Sequence, residues 1–318
     1  MRQSTYWLVL VLVVAALSLG CRLLRNVSKE AVAHNDRGFA LYNKGDLNGA
    51  IAEYREAIRL KPDYVVPHNN LGLALADNGD LDGAIAEYRE AIRLKPDYAP
   101  AHNNFGLALY EKGDLDGAIA EEREAIRLKP DLPTAHTTLG VALRHKGDLD
   151  GAIAEYREAI RLKPDYPDAH TGLGVALYKK GDVDSALAEL REAIRLKPDD
   201  ANEHTTLGVV LRHKGDQDGA IAEYREAIRV KPDYPVAHSS LGVALYDKGD
   251  LDGAIAEYRE AIRLKPDDPD SHYGVAVALE HKGDKQGALE EYRKASELDP
   301  KDPDYRAASD RLAKELNQ

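Results

Sequence analysis

The chain has 318 residues, of which 43% are hydrophobic and 31% charged, and its 55 acidic against 43 basic side chains leave a formal net charge of -12. That balance argues against a nucleic-acid backbone as partner, since such binding draws on clustered lysine and arginine. The basic residues are instead interleaved with glutamate, as in Glu53-Tyr54-Arg55-Glu56-Ala57-Ile58-Arg59, the pattern of a solvated helix face. One cysteine, Cys21, excludes a disulfide framework and a cysteine zinc cluster.

In chain order the first element is residues 1–21. Arg2 precedes a stretch from 3 to 21 without charge, in which Tyr6 to Leu17 are continuously apolar and Ser18-Leu19-Gly20-Cys21 follow. A short positive start, an apolar run and a small-residue end are the parts of an export signal. The end of it resembles the lipobox of bacterial lipoproteins, which implies lipid attachment at Cys21 and a place at the bacterial cell envelope. Ser18 departs from that pattern, which most often has Leu three residues before the cysteine. Two alternatives stay open. An uncleaved single transmembrane anchor is one, because 19 uncharged residues approach the ~20 needed to span a bilayer. Arg22, Arg25 and Lys29 would then keep the remaining chain on the cytoplasmic side. Ordinary signal cleavage is the other. Residues 22–30 read as a short linker.

From Ala31 to Asp302 the chain consists of eight copies of a 34-residue unit without insertion or deletion: 31–64, 65–98, 99–132, 133–166, 167–200, 201–234, 235–268 and 269–302. His34, His68, His102, His136, His170, His204, His238 and His272 keep the step. So do the Gly-Asp pairs from Gly45-Asp46 to Gly283-Asp284 and the prolines from Pro62 to Pro300. A fixed period of this length signals a stacked array in which each unit buries its apolar face against its neighbours.

In the second copy Leu71, Ala74 and Leu75 stand at helical spacing. That helix should stop at Asn78-Gly79, where glycine can take the left-handed conformation. Asp80 or Asp82 offers an N-cap to a second helix, which carries Ala84, Ile85, Tyr88, Ala91, Ile92 and Leu94 and ends before Pro96. Ala84, Ala91 and Gly72 are small where helix axes approach to about 8–10 Å; the eighth copy has Ala276 in the glycine column. Residues 303–318 read as a capping helix opened by Pro303, with Tyr305, Ala308, Leu312 and Leu316 on one face and Arg311, Lys314 and Glu315 on the other.

These residues resemble the tetratricopeptide repeat, whose pattern is matched in the fourth copy by His136, Leu139, Gly140, Leu143, Ala152, Tyr156, Ala159 and Pro164. His replaces the family's Trp and Leu its first-helix Tyr in every copy, and Glu122 and Leu190 replace the second-helix Tyr in single copies. The resemblance covers 31–302 and implies an all-α fold: a right-handed superhelical solenoid of eight helical hairpins plus the C-terminal capping helix. It also implies a concave groove lined by first helices, where peptides or helices of partner proteins bind, in the manner of tetratricopeptide lipoproteins of the envelope.

Comparing the copies shows that the second helix hardly varies, so differences concentrate on the first. Counting each unit's first residue as one, positions 2, 5, 9 and 12 form one helical stripe. Position 5 holds Asn35, Asn69, Asn103, Thr137, Thr171, Thr205 and Ser239, small polar groups suited to a partner's backbone, and then Tyr273. Position 9 is apolar, with Phe39, Leu73, Leu107, Val141, Val175, Val209, Val243 and Val277, either a binding floor or packing between first helices. Position 12 alternates: Tyr42, Tyr110, Tyr178 and Tyr246 in odd copies, Ala76, Arg144, Arg212 and Glu280 in even ones. Tyr and Arg are enriched at binding hot spots, which makes Tyr110, Arg144, Tyr178, Arg212 and Tyr246 candidate contacts; duplication of a two-repeat block is the alternative reading.

The family's carboxylate clamp does not carry over, because its positions hold Asn35, Phe39, Asn70, Pro100 and Asn104. The histidine column reads as packing rather than metal ligation, since zinc needs converging ligands. His145, His213 and His281 follow position 12 and offer a pH-sensitive element. No catalytic motif is present, and carboxylates that recur in every copy do not make one active site, so neither an enzyme nor a cofactor is expected. The expected function is a non-enzymatic scaffold binding proteins or peptides. A substrate-recruiting accessory subunit of a separate enzyme, or a self-associating spacer, are the alternatives.

Overall fold

The computed structural model describes residues 28–317. Among them are seventeen helices and no strand. Helix α1 holds residues 28–42, and eight pairs follow from it: α1 with α2 (Leu47–Leu60), α3 (Val65–Asp77) with α4 (Leu81–Leu94), α5 (Ala99–Glu111) with α6 (Leu115–Leu128), and α7 (Pro133–His145) with α8 (Leu149–Leu162). The later pairs are α9 (Pro167–Lys180) with α10 (Val183–Leu196), α11 (Ala201–Lys214) with α12 (Gln217–Val230), α13 (Pro235–Asp247) with α14 (Leu251–Leu264), and α15 (Pro269–Lys282) with α16 (Lys285–Leu298). Helix α17 (Pro303–Leu316) closes the series. The chain divides into two compact units, the first ending at Leu162 and the second starting at Lys163. Each is an all-α stack of helical hairpins. Residues 28–30, expected within a linker, are already helical, and the expected signal or anchor with Cys21 lies outside the described residues.

The hairpin turn follows from two residues. Gly79 sits at φ +85, in the left-handed region that a side chain disfavours, and reverses the chain after α3. Asp80 then accepts a hydrogen bond from the Gly83 amide at 2.9 Å and so caps α4. Of the two candidate caps it is Asp80, not Asp82, that takes this role; Asp82 instead meets Lys112 of the next hairpin at 2.5 Å. Every Gly-Asp pair places its glycine at positive φ, from +80 to +94. Second helices stop one residue before the Lys-Pro step, where the Lys95 amide still reaches the Ala91 carbonyl and Pro96 has no amide to continue with.

Packing inside a hairpin rests on a tyrosine laid against a glycine. Tyr88 is 1% exposed, and a Cβ on Gly72 would stand 2.5 Å from its ring. The absent side chain is therefore the space the ring occupies. Tyr54, Tyr156, Tyr224 and Tyr258 repeat the arrangement against Gly38, Gly140, Gly208 and Gly242. Glu122 and Leu190 fill the same place in the third and fifth hairpins. Ala84 and Ala91 are fully buried, as close helix approach requires.

Helix α17 packs on α16 and buries Tyr305, Ala308 and Leu312. Leu316, expected on the same face, is 40% exposed. The reason lies at the start of α16, whose first residue Lys285 meets Glu315 at 3.1 Å, so that Leu316 falls past the end of the seam.

Candidate protein-binding face

In each unit the first helices of successive hairpins touch: α3 with α5 and α5 with α7 in one, α11 with α13 and α13 with α15 in the other. Successive second helices do not pack as closely among the described residues, so the first helices line the shorter, inner arc of each unit.

The position-9 residues stand on that arc. Phe39 is 55% and Leu107 41% exposed, while Leu73, Val141, Val175, Val209 and Val243 are half-buried, as is Val277. Val32 and Val236 at position 2 are exposed beside them. Packing between first helices therefore does not consume this row.

The position-5 residues behave differently from the expectation. Asn35, Asn69, Asn103, Thr137 and Thr205 are buried, and Thr171 and Ser239 are half-buried. Their polar atoms are already used within the protein. Asn70 donates to Asn35 at 3.1 Å, Asn104 to Asn69 at 2.9 Å, and the Thr134 hydroxyl to Asn103 at 2.8 Å. Thr137, Thr171 and Thr205 donate to the carbonyls of Pro133, Pro167 and Ala201, four residues back, and Ser239 to that of Val236. Asn35, Asn69 and Asn103, with Thr171 through Glu203 at 2.6 Å, tie neighbouring first helices together, while Thr137, Thr205 and Ser239 spend their hydroxyls on their own helix.

In five hairpins position 12 is half of a pair, and its partner is position 13 of the following hairpin, 35 residues on. The Tyr42 hydroxyl donates to Asp77 at 2.5 Å, and the Arg212 guanidinium to Asp247 at 3.0 Å. Tyr110 meets His145 at 3.3 Å, Tyr178 meets His213 at 2.6 Å, and Tyr246 meets His281 at 2.9 Å. The first two ring pairs are edge-on, with centroids 5.3 and 5.6 Å apart. Burial, then the Asp77 hydrogen bond and charge, push the Tyr42 hydroxyl up to about 12. Arg144 lies 3.1 Å from His145 within its own helix. The tyrosines and arginines of this row are half-buried, held in place yet still presented on the arc. Sequence reading found position 12 and missed its partner; the signal was the histidines and Asp77 recurring in step with the tyrosines.

Glu122 was recognised only as a departure from the pattern. It is 0% exposed and accepts from the Asn103 amide at 3.0 Å. Burial pushes its carboxyl up to about 9.

On the outer side a shallow cleft lined by Asp82, Ile85, Arg89, Leu109 and Lys112 recurs one hairpin later with Asp116, Ile119, Arg123, Leu143 and Lys146. It repeats with the array, as a consequence of stacking does. No helix among the described residues is long and apolar enough to cross a membrane.

Paired antiparallel helices of constant length, tyrosine against glycine inside each pair and first helices along the inner arc, define a helical-repeat protein of the interaction-scaffold class. The "TPR repeat" family matches residues 38–79, 74–113, 106–144, 142–181, 176–212 and 208–249, and the "Tetratricopeptide repeat" family matches 239–303. The chain belongs to the tetratricopeptide repeat family. Among solved structures it is similar to a chain of the APC/C hetero-tetramer Cut9-Hcn1, with a TM-score of 0.67 and 18% identity over 86% of this chain and 55% of that one. It thus spans about half of that protein's length. It is also similar to pilF of Pseudomonas aeruginosa, with a TM-score of 0.59 and 20% identity over 67% of this chain and 96% of that one. At these identities the likeness is one of fold. No curated protein matches the chain.

Proposed function

We propose that this protein is a non-enzymatic scaffold that holds partner peptides or helices on the inner arc of its repeat units, and that lipid at Cys21 tethers it to a bacterial cell envelope. The observation that carries the first part is the apolar row left open by the fold. Phe39 and Leu107 are exposed on an arc whose polar neighbours at position 5 are already satisfied internally. An uncovered apolar row between ordered Tyr and Arg side chains is the composition of a binding surface. Recognition here is by shape and apolar contact more than by hydrogen bonds to the position-5 residues.

The test is a photo-crosslinking amino acid placed at Phe39 or Leu107 on the inner arc and, as control, at Ala86 on the outer side, in cells that make the protein. Adducts of discrete mass from the inner positions and none from Ala86 support the reading. Equal yields from all three, or no adduct at Phe39 and Leu107, overturn it. The support for the tether is the apolar run from Tyr6 to Leu17 ending in Ser18-Leu19-Gly20-Cys21. Intact mass of membrane-extracted protein tests it: a chain beginning at a diacylated Cys21 is expected, and an unmodified full-length chain contradicts it.

A further inference from the structure

His68, His102, His136, His170, His204 and His238, one at the start of each of six successive hairpins, are 6–7% exposed. In each, Nδ1 lies 2.7 Å from a glutamate carboxylate on the hairpin's second helix. Nε2 lies 2.9–3.1 Å from the carbonyl of the proline in the loop before it. For His102 these are Glu121 and Pro96. Both partners are acceptors with no proton to give. A neutral imidazole carries one N–H and one lone pair, so one of the two contacts would set a lone pair against an oxygen. An imidazolium donates to both. With the glutamate ionised, only the charged ring satisfies both contacts.

We propose that His68, His102 and His136, in three successive hairpins of the first unit, stand as imidazolium ions, each clamping its own hairpin to the loop before it, and that loss of their protons loosens those hairpins, which makes that unit pH-responsive. The ends of the series mark its limits. His34 is half-buried and shares Glu53 with Arg37, while His272 keeps Glu291 at 2.6 Å but has no partner at Nε2.

The charges that act on His102 are Glu121 and, more distantly, Glu124, both on α6; Glu124 is itself bridged to Arg127 at 2.6 Å. In the preceding loop Lys95 and Asp97 flank Pro96, and the Lys95 ammonium is turned over the Tyr98 ring. The Glu121 hydrogen bond, working against burial, holds His102 above the ordinary histidine value. For His68 and His136 burial pulls downward most strongly, and is outweighed by the glutamate and carbonyl hydrogen bonds together with the glutamate charges, so they too lie above it. A base with a raised folded-state value contributes stability that is complete below the unfolded value of about 6.5 and is lost as pH rises through the folded value. These hairpins are therefore tightest below about pH 6.5 and slacken as pH rises above it.

The test is ring-nitrogen NMR of the full-length chain labelled with ¹⁵N-histidine, titrated from pH 5 to 9, with His102 assigned by His102→Gln. His68, His102 and His136 should keep both ring nitrogens protonated at the pH where a free histidine peptide is half-titrated. Glu121→Gln should bring the His102 midpoint down to or below that of a free histidine peptide while His68 is unmoved. A single neutral tautomer for these three at that pH, or a His102 midpoint indifferent to Glu121→Gln, overturns the proposal. Amide exchange of the unsubstituted chain gives a second reading that needs no variant. Corrected for intrinsic rates, protection in α3, α5 and α7 should fall several-fold across the same pH window, and a flat profile is equally contrary.

Discussion

Glu122 shows how a single position departs from the rule that its column sets. A tyrosine there is buried against the first-helix glycine; a carboxylate in the same dry space can persist only by keeping its proton, and burial accordingly pushes Glu122 up to about 9. An acid whose folded value exceeds its unfolded value of 4.5 weakens the fold progressively as pH rises between the two. At pH 7 the gap covers about two and a half units at about 1.4 kcal/mol each, a cost of about 3 kcal/mol. Glu122→Gln keeps the shape and the Asn103 contact without the titration. It is expected to raise stability at pH 7 by up to about 3 kcal/mol and to leave pH 5 nearly unchanged. Urea midpoints at both pH values check this, and equal shifts at both would mean that packing rather than ionisation is responsible. The same substitution separates this effect from the histidine clamps, which also weaken as pH rises. The sequence marks Glu122 as a departure from the tyrosine column, but does not say that its carboxyl is fully buried or which way burial moves it. Asn35 and Thr137 mislead in the same way, because a column of small polar residues is compatible with a surface row or with an internal ladder. Only the position of the next helix decides between them.

At the scale of the element, the helices were legible almost to the residue because eight copies state the same boundaries. The stop at Gly79, the cap at Asp80 and the end before Pro96 follow from backbone chemistry that acts within four residues. That locality also lets the turn be taken apart. A methyl group added at Gly79 would have nothing within 4 Å, so Gly79→Ala meets no steric obstacle and loses only the freedom to adopt φ +85, a cost of roughly 1–2 kcal/mol. Gly72→Ala fails for the opposite reason. Its backbone is ordinary helix, but the new methyl would stand 2.5 Å from the Tyr88 ring, and such overpacking costs about 1–3 kcal/mol. Tyr88→Ala should relieve the second variant and leave the first unaffected; a leucine would not, since Leu190 in the same place stands 2.8 Å from where a methyl on Gly174 would be. A double-mutant cycle in urea decides the matter: coupling between positions 72 and 88, and none between 79 and 88, is the expected pattern. The pairing of Tyr178 with His213 was only half legible, since the period sets the histidines in step with the tyrosines but does not say which residues meet across a seam.

For the molecule as a whole, contacts within each unit run from a helix to its sequence neighbours and to the next first helix on the arc, so stability is local and additive along the stack. One unfolding transition is then the wrong expectation, because segments with different interfaces open at different free energies. The C-terminal end gives the clearest case. Helix α17 covers the last hairpin with Tyr305, Ala308 and Leu312, ties Tyr305 to Asp270 at 2.5 Å, and sets Arg311 on Glu280 through two contacts of 2.7 and 2.8 Å. Ending the chain at Asp302 removes all of these at once and uncovers the end of the α15–α16 hairpin, including the ring of Tyr273, which packs 5.2 Å from that of Tyr305. In a cooperative globule the loss would be felt everywhere. In a stack it should be felt first next door: amides of α15 and α16 are expected to lose protection by about an order of magnitude or more, those of α13 and α14 by less, and those of α3 to α6 not at all. Hydrogen exchange read segment by segment makes the distinction. A uniform loss of protection across the described helices would mean that the repeats are coupled far more tightly than nearest-neighbour contacts allow.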